Sequence, residues 1–134
     1  MSVPEIVETA VTAPYWQALS EGRLDFQRCR ACGHGWLPAR AQCSACLSDD
    51  SEWCPASGKG RIVSWVVYHI AYAPHLAERI PYNVTIVELA EGPRLMTNII
   101  DHPDGQGLGV DAPVELVIET DFERALPRFR LTKV

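Results

Sequence analysis

The sequence predicts a mainly β protein: a short N-terminal helix, a small metal-stapled ribbon, then a five-stranded barrel. Three observations predict it. Two C-x-x-C pairs, Cys29-Arg30-Ala31-Cys32 and Cys43-Ser44-Ala45-Cys46, stand ten residues apart. The run Ser57-Gly58-Lys59-Gly60 breaks the pattern behind them. From Arg61 onward the chain falls into five runs rich in β-branched and aromatic residues. These signals divide the chain into an arm and helix over residues 1–22, a ribbon over 23–57 and a barrel domain over 58–134.

The first dozen residues have no clear period and read as an arm. Thr12-Ala13-Pro14 then marks a helix start, with Thr12 able to cap and Pro14 in the first turn, where a missing N–H costs nothing. Tyr15, Trp16 and Leu19 make a short apolar face at helical spacing, and Gly22 supplies the stop. Two turns cannot hold alone, so this helix must dock on the rest of the chain or on another subunit.

Residues 24–28 read as the strand entering the first knuckle, and 35–38 as its return, with Trp36 and Leu37 covering the metal site. Residues 52–55 would be a third ribbon strand, with Cys54 a small buried residue. The long run 61–70 is expected to coil, and a loop follows over 71–81. Residues 82–89 alternate as a second strand, Ala90-Glu91-Gly92-Pro93 turns into a third over 94–100, and 101–109 form a loop. Strands over 114–120 and 126–131 complete the set, the last carrying Pro127 and so placed at an edge. Five strands in this order fit the OB-fold, which closes its sheet edges at this size, whereas an open sandwich needs about seven.

The cysteine spacing carries the clearest chemistry. A two-residue spacer folds a tight knuckle whose sulfurs and backbone N–H groups face one ion, and four thiolates suit tetrahedral Zn²⁺. Gly33 offers the positive φ that such a knuckle needs; in the second knuckle Leu47 stands at the corresponding place. Two disulfides, or iron in a rubredoxin-like site, are the alternatives. With Cys29, Cys32, Cys43 and Cys46 as ligands a zinc ion has no open position, so its role is structural and function lies elsewhere.

Composition narrows the classes further. The chain has 134 residues and a formal charge of −5, with 12 Lys and Arg against 17 Asp and Glu, which disfavours non-specific nucleic-acid binding. No apolar stretch approaches the ~20 residues of a membrane span. The start Met-Ser-Val-Pro-Glu-Ile-Val-Glu has no basic end and no apolar run, and with five cysteines it predicts a reducing cytoplasm. There is no G-x-S-x-G, no H-E-x-x-H and no G-x-x-x-x-G-K-[ST], and the four histidines are scattered, so no nucleophile–base pair is evident.

Several segments together resemble a known family. Tyr15-Trp16, Gly22-Arg23-Leu24 and Cys29-Arg30-Ala31-Cys32-Gly33 are followed by the run from Ser57 to Trp65, by Pro81-Tyr82, by Val87-Glu88-Leu89 with Glu91-Gly92-Pro93-Arg94-Leu95, and by the closing Leu126-Pro127-Arg128-Phe129-Arg130. In that order they resemble the acyl-CoA-associated family that joins an N-terminal helix, a rubredoxin-like zinc ribbon and a C-terminal OB-fold. The resemblance covers nearly the whole chain from Pro14; Ser44 and Leu47 depart from the commoner Pro and Gly of the second knuckle.

The resemblance implies a non-catalytic accessory subunit. It would bind a thiolase-like acyltransferase or a steroid side-chain aldolase, or in some members a hydratase, and help form that partner's acyl-CoA channel. For the phosphates of CoA the candidates are Arg28, Arg30 and Arg40 on the ribbon and Arg79 in the long loop; for the partner interface they are Tyr15, Trp16, Leu19 and Trp65. The alternative is a single-stranded nucleic-acid OB protein stacking bases on Trp65 and Tyr68, against which the acids Glu115, Glu119, Asp121 and Glu123 argue.

Overall fold

The computed structural model describes residues 8–71 and 73–132. Its helix, α1 (Ala13–Ser20), starts at the expected place but not by the expected bond. Thr12 is already in the helical region and its hydroxyl caps nothing. The chain turns one step earlier, with the Ala13 N–H donating to Thr9 O at 2.8 Å. Thr9 and Thr12 therefore serve each other, Thr9 N–H to Thr12 Oγ1 at 2.9 Å and Thr12 N–H to Thr9 Oγ1 at 3.2 Å. The C-terminus closes as the sequence implies: Gly22 takes φ +86°, the Gly22 N–H donates to Leu19 O, and the Arg23 N–H donates to Ala18 O.

The helix docks on its own chain. Leu19 is 1% exposed and belongs to the barrel core, so it is not available to a partner. Its burial contributes about 2 kcal/mol. Tyr15 and Trp16 are half-buried against the same core, and the Arg124 guanidinium lies 4.7 Å over the Trp16 ring while pairing with Glu8 at 2.6 Å.

Three strands form the ribbon, β1 (Asp25–Cys29), β2 (Gly35–Trp36) and β3 (Ser51–Pro55), antiparallel in the order β2-β1-β3. Trp36 lies with Cys29 and Cys43 in a small buried cluster, as expected. Leu37 does not: it packs on the barrel core, because successive side chains of an extended chain point to opposite faces. Cys54 is half-buried rather than buried, since β3 is an edge of this small sheet.

The second sheet contains β4 (Lys59–Tyr68), β5 (Tyr82–Leu89), β6 (Arg94–Thr97), β7 (Pro113–Asp121) and β8 (Arg124–Leu131), in the order β6-β5-β4-β7-β8. β4 coils as expected, with a bulge between Ile62 and Ser64. It pairs with β7 only over Lys59–Arg61 and with β5 along most of its length. Gly60 marks the tight point: a Cβ there would sit 2.6 Å from Glu88 O. Where β4 and β7 part, the Asp111 N–H donates to Ile62 O and the Ile62 N–H to Ala112 O.

β6 stops at Thr97, short of the expected Ile100, because the chain changes partner. Ile99 bridges Phe129 of β8 in parallel, and the Ile100 N–H donates to Phe129 O at 2.9 Å. That bridge brings the two outer strands together and nearly closes the five-stranded OB barrel. Within it lie Ile62, Val87, Leu89, Ile99, Val114 and Phe129. The stretch after β4 contains a 3-10 turn at Pro74–Leu76. β7 and β8 are joined by Phe122 and Glu123, both at positive φ, the geometry of a two-residue type I′ hairpin.

The barrel has an apolar outer face on β4, β5 and β6. Along β5 the inward residues Asn83, Thr85, Val87 and Leu89 are buried, and the alternate ones point out. Register places Ser64, Val66 and Tyr68 beside Ile86, Val84 and Tyr82, and Met96 beside Ile86. Val66 is 53% and Met96 72% exposed, while Glu88, at one end of the face, binds both Arg61 and Arg94. The face runs into a groove of about 560 Å³ lined by Tyr15, Trp16, Leu37, Ile86, Leu95 and Met96, among others.

Candidate metal centre

The two cysteine pairs fold as a repeated unit. In the first knuckle the Cys29 N–H donates to His34 O and the Gly33 N–H to Cys29 O; in the second, the Cys43 N–H donates to Ser48 O and the Leu47 N–H to Cys43 O, all at 2.8–2.9 Å. Backbone N–H groups also face the sulfurs, Cys32 N–H to Cys29 Sγ at 3.4 Å and Ala45 N–H to Cys43 Sγ at 3.3 Å. The Cys32 N–H above all draws the Cys29 thiol down to about 7, while the Cys46 thiol, despite the Ser48 N–H, is pushed up to about 12 by the three sulfurs around it.

Across the knuckles, Cys29 Sγ lies 3.5 Å from Cys46 Sγ and Cys32 Sγ 3.6 Å from Cys43 Sγ, and all four sulfurs lie within 4.8 Å of one another. A tetrahedral ion with Zn–S bonds of about 2.3 Å needs sulfurs about 3.8 Å apart. The donor set and its spacing therefore fit a tetrathiolate zinc ion. No sulfur pair is a disulfide, and all five cysteines are free thiols. Cys29 and Cys43 are buried and Cys32 and Cys46 exposed, so the ion would sit at the ribbon's tip with Trp36 behind it.

Leu47 occupies the position that Gly33 holds in the first knuckle, at φ +66° against +81°, and is 70% exposed. A side chain gains little there and carries the left-handed backbone penalty. Leu47→Gly is expected to raise the denaturation midpoint, by about 1 kcal/mol of stability, read by urea unfolding of the zinc-loaded protein. A lower midpoint would mean that the leucine makes a contact of its own.

His34, between Gly33 and Gly35, is exposed, with its Nε2 3.1 Å from Ser44 Oγ and its ring stacked on Trp36. The arginines named for CoA each have other partners. Arg28 lies over the Phe26 ring, and Arg30 pairs with Asp50 and Glu52. Arg40 is exposed, its backbone bound to the Gln27 side chain. Arg79 belongs to the barrel instead. Its two terminal nitrogens grip Asp121 at 2.5 and 2.8 Å, and its guanidinium stacks on Phe122 at 4.3 Å. The Arg79 guanidinium, with Arg128 behind it, holds the Asp121 carboxyl well below the usual carboxylate range. Arg79, Phe122 and Arg128 border a cavity of about 490 Å³. Trp65 faces inward and packs on the core.

Two polar residues missed in the sequence organise these regions. Gln27 is buried in β1 and bonds across the ribbon; Asn83 is buried in β5 and bonds across the barrel. Their one visible signal is a polar side chain at an inward strand position.

A four-thiolate ribbon followed by a nearly closed OB barrel defines a zinc-ribbon/OB-fold protein whose metal site is structural. Comparison carries this to a family. The model of the ChsH2 rubredoxin-like zinc ribbon domain matches residues 16–52, and that of the ChsH2 C-terminal OB-fold domain matches residues 53–119. The chain belongs to the ChsH2 zinc-ribbon and OB-fold family. It is similar to a DUF35 domain-containing scaffold protein of Methanocaldococcus jannaschii, with 35% identity over 75% of this chain and 72% of that one. It is also similar to a probable enoyl-CoA hydratase alpha subunit of Thermomonospora curvata, 38% identical over 87% of this chain; the chain spans only 36% of that relative's length. Among solved structures, a chain of the Ltp2-ChsH2(DUF35) aldolase superposes with a TM-score of 0.81 at 34% identity, covering 95% of this chain and 98% of that one.

Proposed function

We propose that this protein is a non-catalytic accessory subunit that binds a thiolase-like aldolase or acyltransferase and helps to form its acyl-CoA channel. The observation that carries the reading is the outer face of β4, β5 and β6. It presents Val66 and Met96 to solvent with half-buried Val84 and Ile86 between them, an arrangement that fits a protein interface better than a monomer's surface. The likeness to a chain of an aldolase named with two components, and to relatives named scaffold proteins, supports the same reading. The ribbon's sulfurs fill a zinc ion's coordination, which leaves the metal no chemistry to perform on a substrate.

The nucleic-acid reading gains no support from this face. Base stacking along a single strand calls for exposed aromatics beside unpaired cations, whereas here Tyr68 and Tyr82 stack on each other and Arg61 and Arg94 are both bound to Glu88. No helix among the described residues is long and apolar enough to cross a membrane.

The test uses Val66→Glu and Met96→Glu, each placing a charge on an exposed position of the face. Both are expected to weaken co-purification with a thiolase-like or aldolase-like subunit at least tenfold, with zinc content and thermal unfolding unchanged. Wild-type recovery of that subunit with both variants would remove this face from the interface.

A further inference from the structure

We propose that Gln27 is the positioning residue of the metal centre, whose carboxamide holds the link between the two knuckles at metal-binding distance. The need for such a residue follows from the chain between the pairs. β2 ends at Trp36, and residues 37–42 form no helix or strand before Cys43 arrives at the site. Local knuckle bonds shape each pair but do not set the distance between them.

Gln27 supplies that constraint from β1, two residues before Cys29, and is 5% exposed. Its Nε2–H donates to Arg40 O at 2.9 Å, and its Oε1 accepts the Arg40 N–H at 2.8 Å. The carboxamide thus binds both sides of one residue of the link, as a neighbouring strand would, three residues before Cys43. Oε1 also accepts the Trp36 indole N–H at 2.9 Å. Trp36 in turn packs against Cys29 and Cys43, one ligand from each knuckle. One side chain therefore ties the entering strand, the indole behind the metal and the approach to the second pair.

The chemistry is specific to glutamine. Glutamate keeps the acceptor for Arg40 N–H and Trp36 but sets a carboxylate oxygen against Arg40 C=O. Leucine has neither donor nor acceptor, and asparagine is one methylene shorter. A site assembled in advance pays less ordering entropy when the ion binds, so losing the clamp should speed release without altering the donor set.

The experiment measures zinc transfer from the full-length, zinc-loaded protein to a chromophoric chelator, for Gln27→Glu, Gln27→Leu and Trp36→Phe. Both Gln27 variants are expected to release zinc at least tenfold faster than wild type, a size typical of residues supporting metal ligands. Trp36→Phe, which keeps a ring but loses the N–H, should show a smaller acceleration. Cobalt-loaded variants should retain the tetrahedral tetrathiolate spectrum, showing that the ligands remain while their retention weakens. Wild-type release rates in Gln27→Glu would overturn the proposal, as would a changed cobalt spectrum, which would mean that Gln27 decides the ligand set itself. Should the Gln27 variants fail to fold, Trp36→Phe decides alone: accelerated release upholds the clamp and unchanged release overturns it.

Discussion

Removing the metal from the intact protein will unfold the ribbon and leave the barrel folded. The two parts differ in what they bury. The barrel's core joins Ile62, Val87, Leu89, Ile99, Val114 and Phe129 to Leu19 and Leu24 from the segments before it. The cluster around the metal consists of Cys29, Trp36 and Cys43, and two of those three are ligands. With the ion gone, thiolates lie 3.5–3.6 Å apart across the knuckles and either repel or must take up protons. Structural zinc contributes about 10–16 kcal/mol in comparable small sites, far more than this cluster can replace. Hydrogen exchange in strong chelator is therefore expected to show lost protection in β1, β2 and β3, with β5 and β8 still protected. Protection retained throughout the ribbon would contradict this.

Asn83→Leu should be the most damaging single change in the barrel. Asn83 is 1% exposed on the inward side of β5, where pattern alone calls for an aliphatic residue. Its Nδ2 donates to Ile99 O at 2.9 Å and to His102 O at 3.0 Å, and its Oδ1 accepts from Ile99 N–H at 2.8 Å and Thr85 Oγ1–H at 2.7 Å. These bonds hold the chain where it leaves β6 and turns toward β8, and so hold the closure of the barrel. Leucine matches the volume but strands several buried backbone groups, each costing about 1–3 kcal/mol. A loss of about 3–5 kcal/mol is expected, seen as a fall of roughly 10–20 °C in melting temperature. A fall below about 3 °C would show that the closure does not depend on this amide.

These two predictions mark what can be read in the sequence and what cannot. The four ligands were legible because C-x-x-C spacing is local: two residues suffice to turn one knuckle. The five barrel strands were legible for a similar reason, since alternation along β5, or a β-branched run such as that of β4, needs no knowledge of its neighbours. Gln27 and Asn83 were not, because each gains its meaning from groups 9 to 19 residues away. Leu37 was misplaced because nothing in Trp36-Leu37 says which of two opposite faces meets the metal. Thr12 sits where a cap belongs, but a turn begun at Thr9 had already used its hydroxyl. Arg79 read as a free cation for the same reason: Asp121, 42 residues on, is invisible as its partner until the barrel closes.

The central question is whether this chain works as part of a larger enzyme. The direct measurement is gentle capture of the tagged, full-length protein from its source cells, followed by mass identification and stoichiometry of every co-eluting chain. The expected result is a stoichiometric thiolase-like or aldolase-like subunit, with acyl-CoA chemistry present in the complex and absent from this chain alone. Recovery of a zinc-loaded, folded chain without such a subunit, or with nucleic acid in its place, would contradict it.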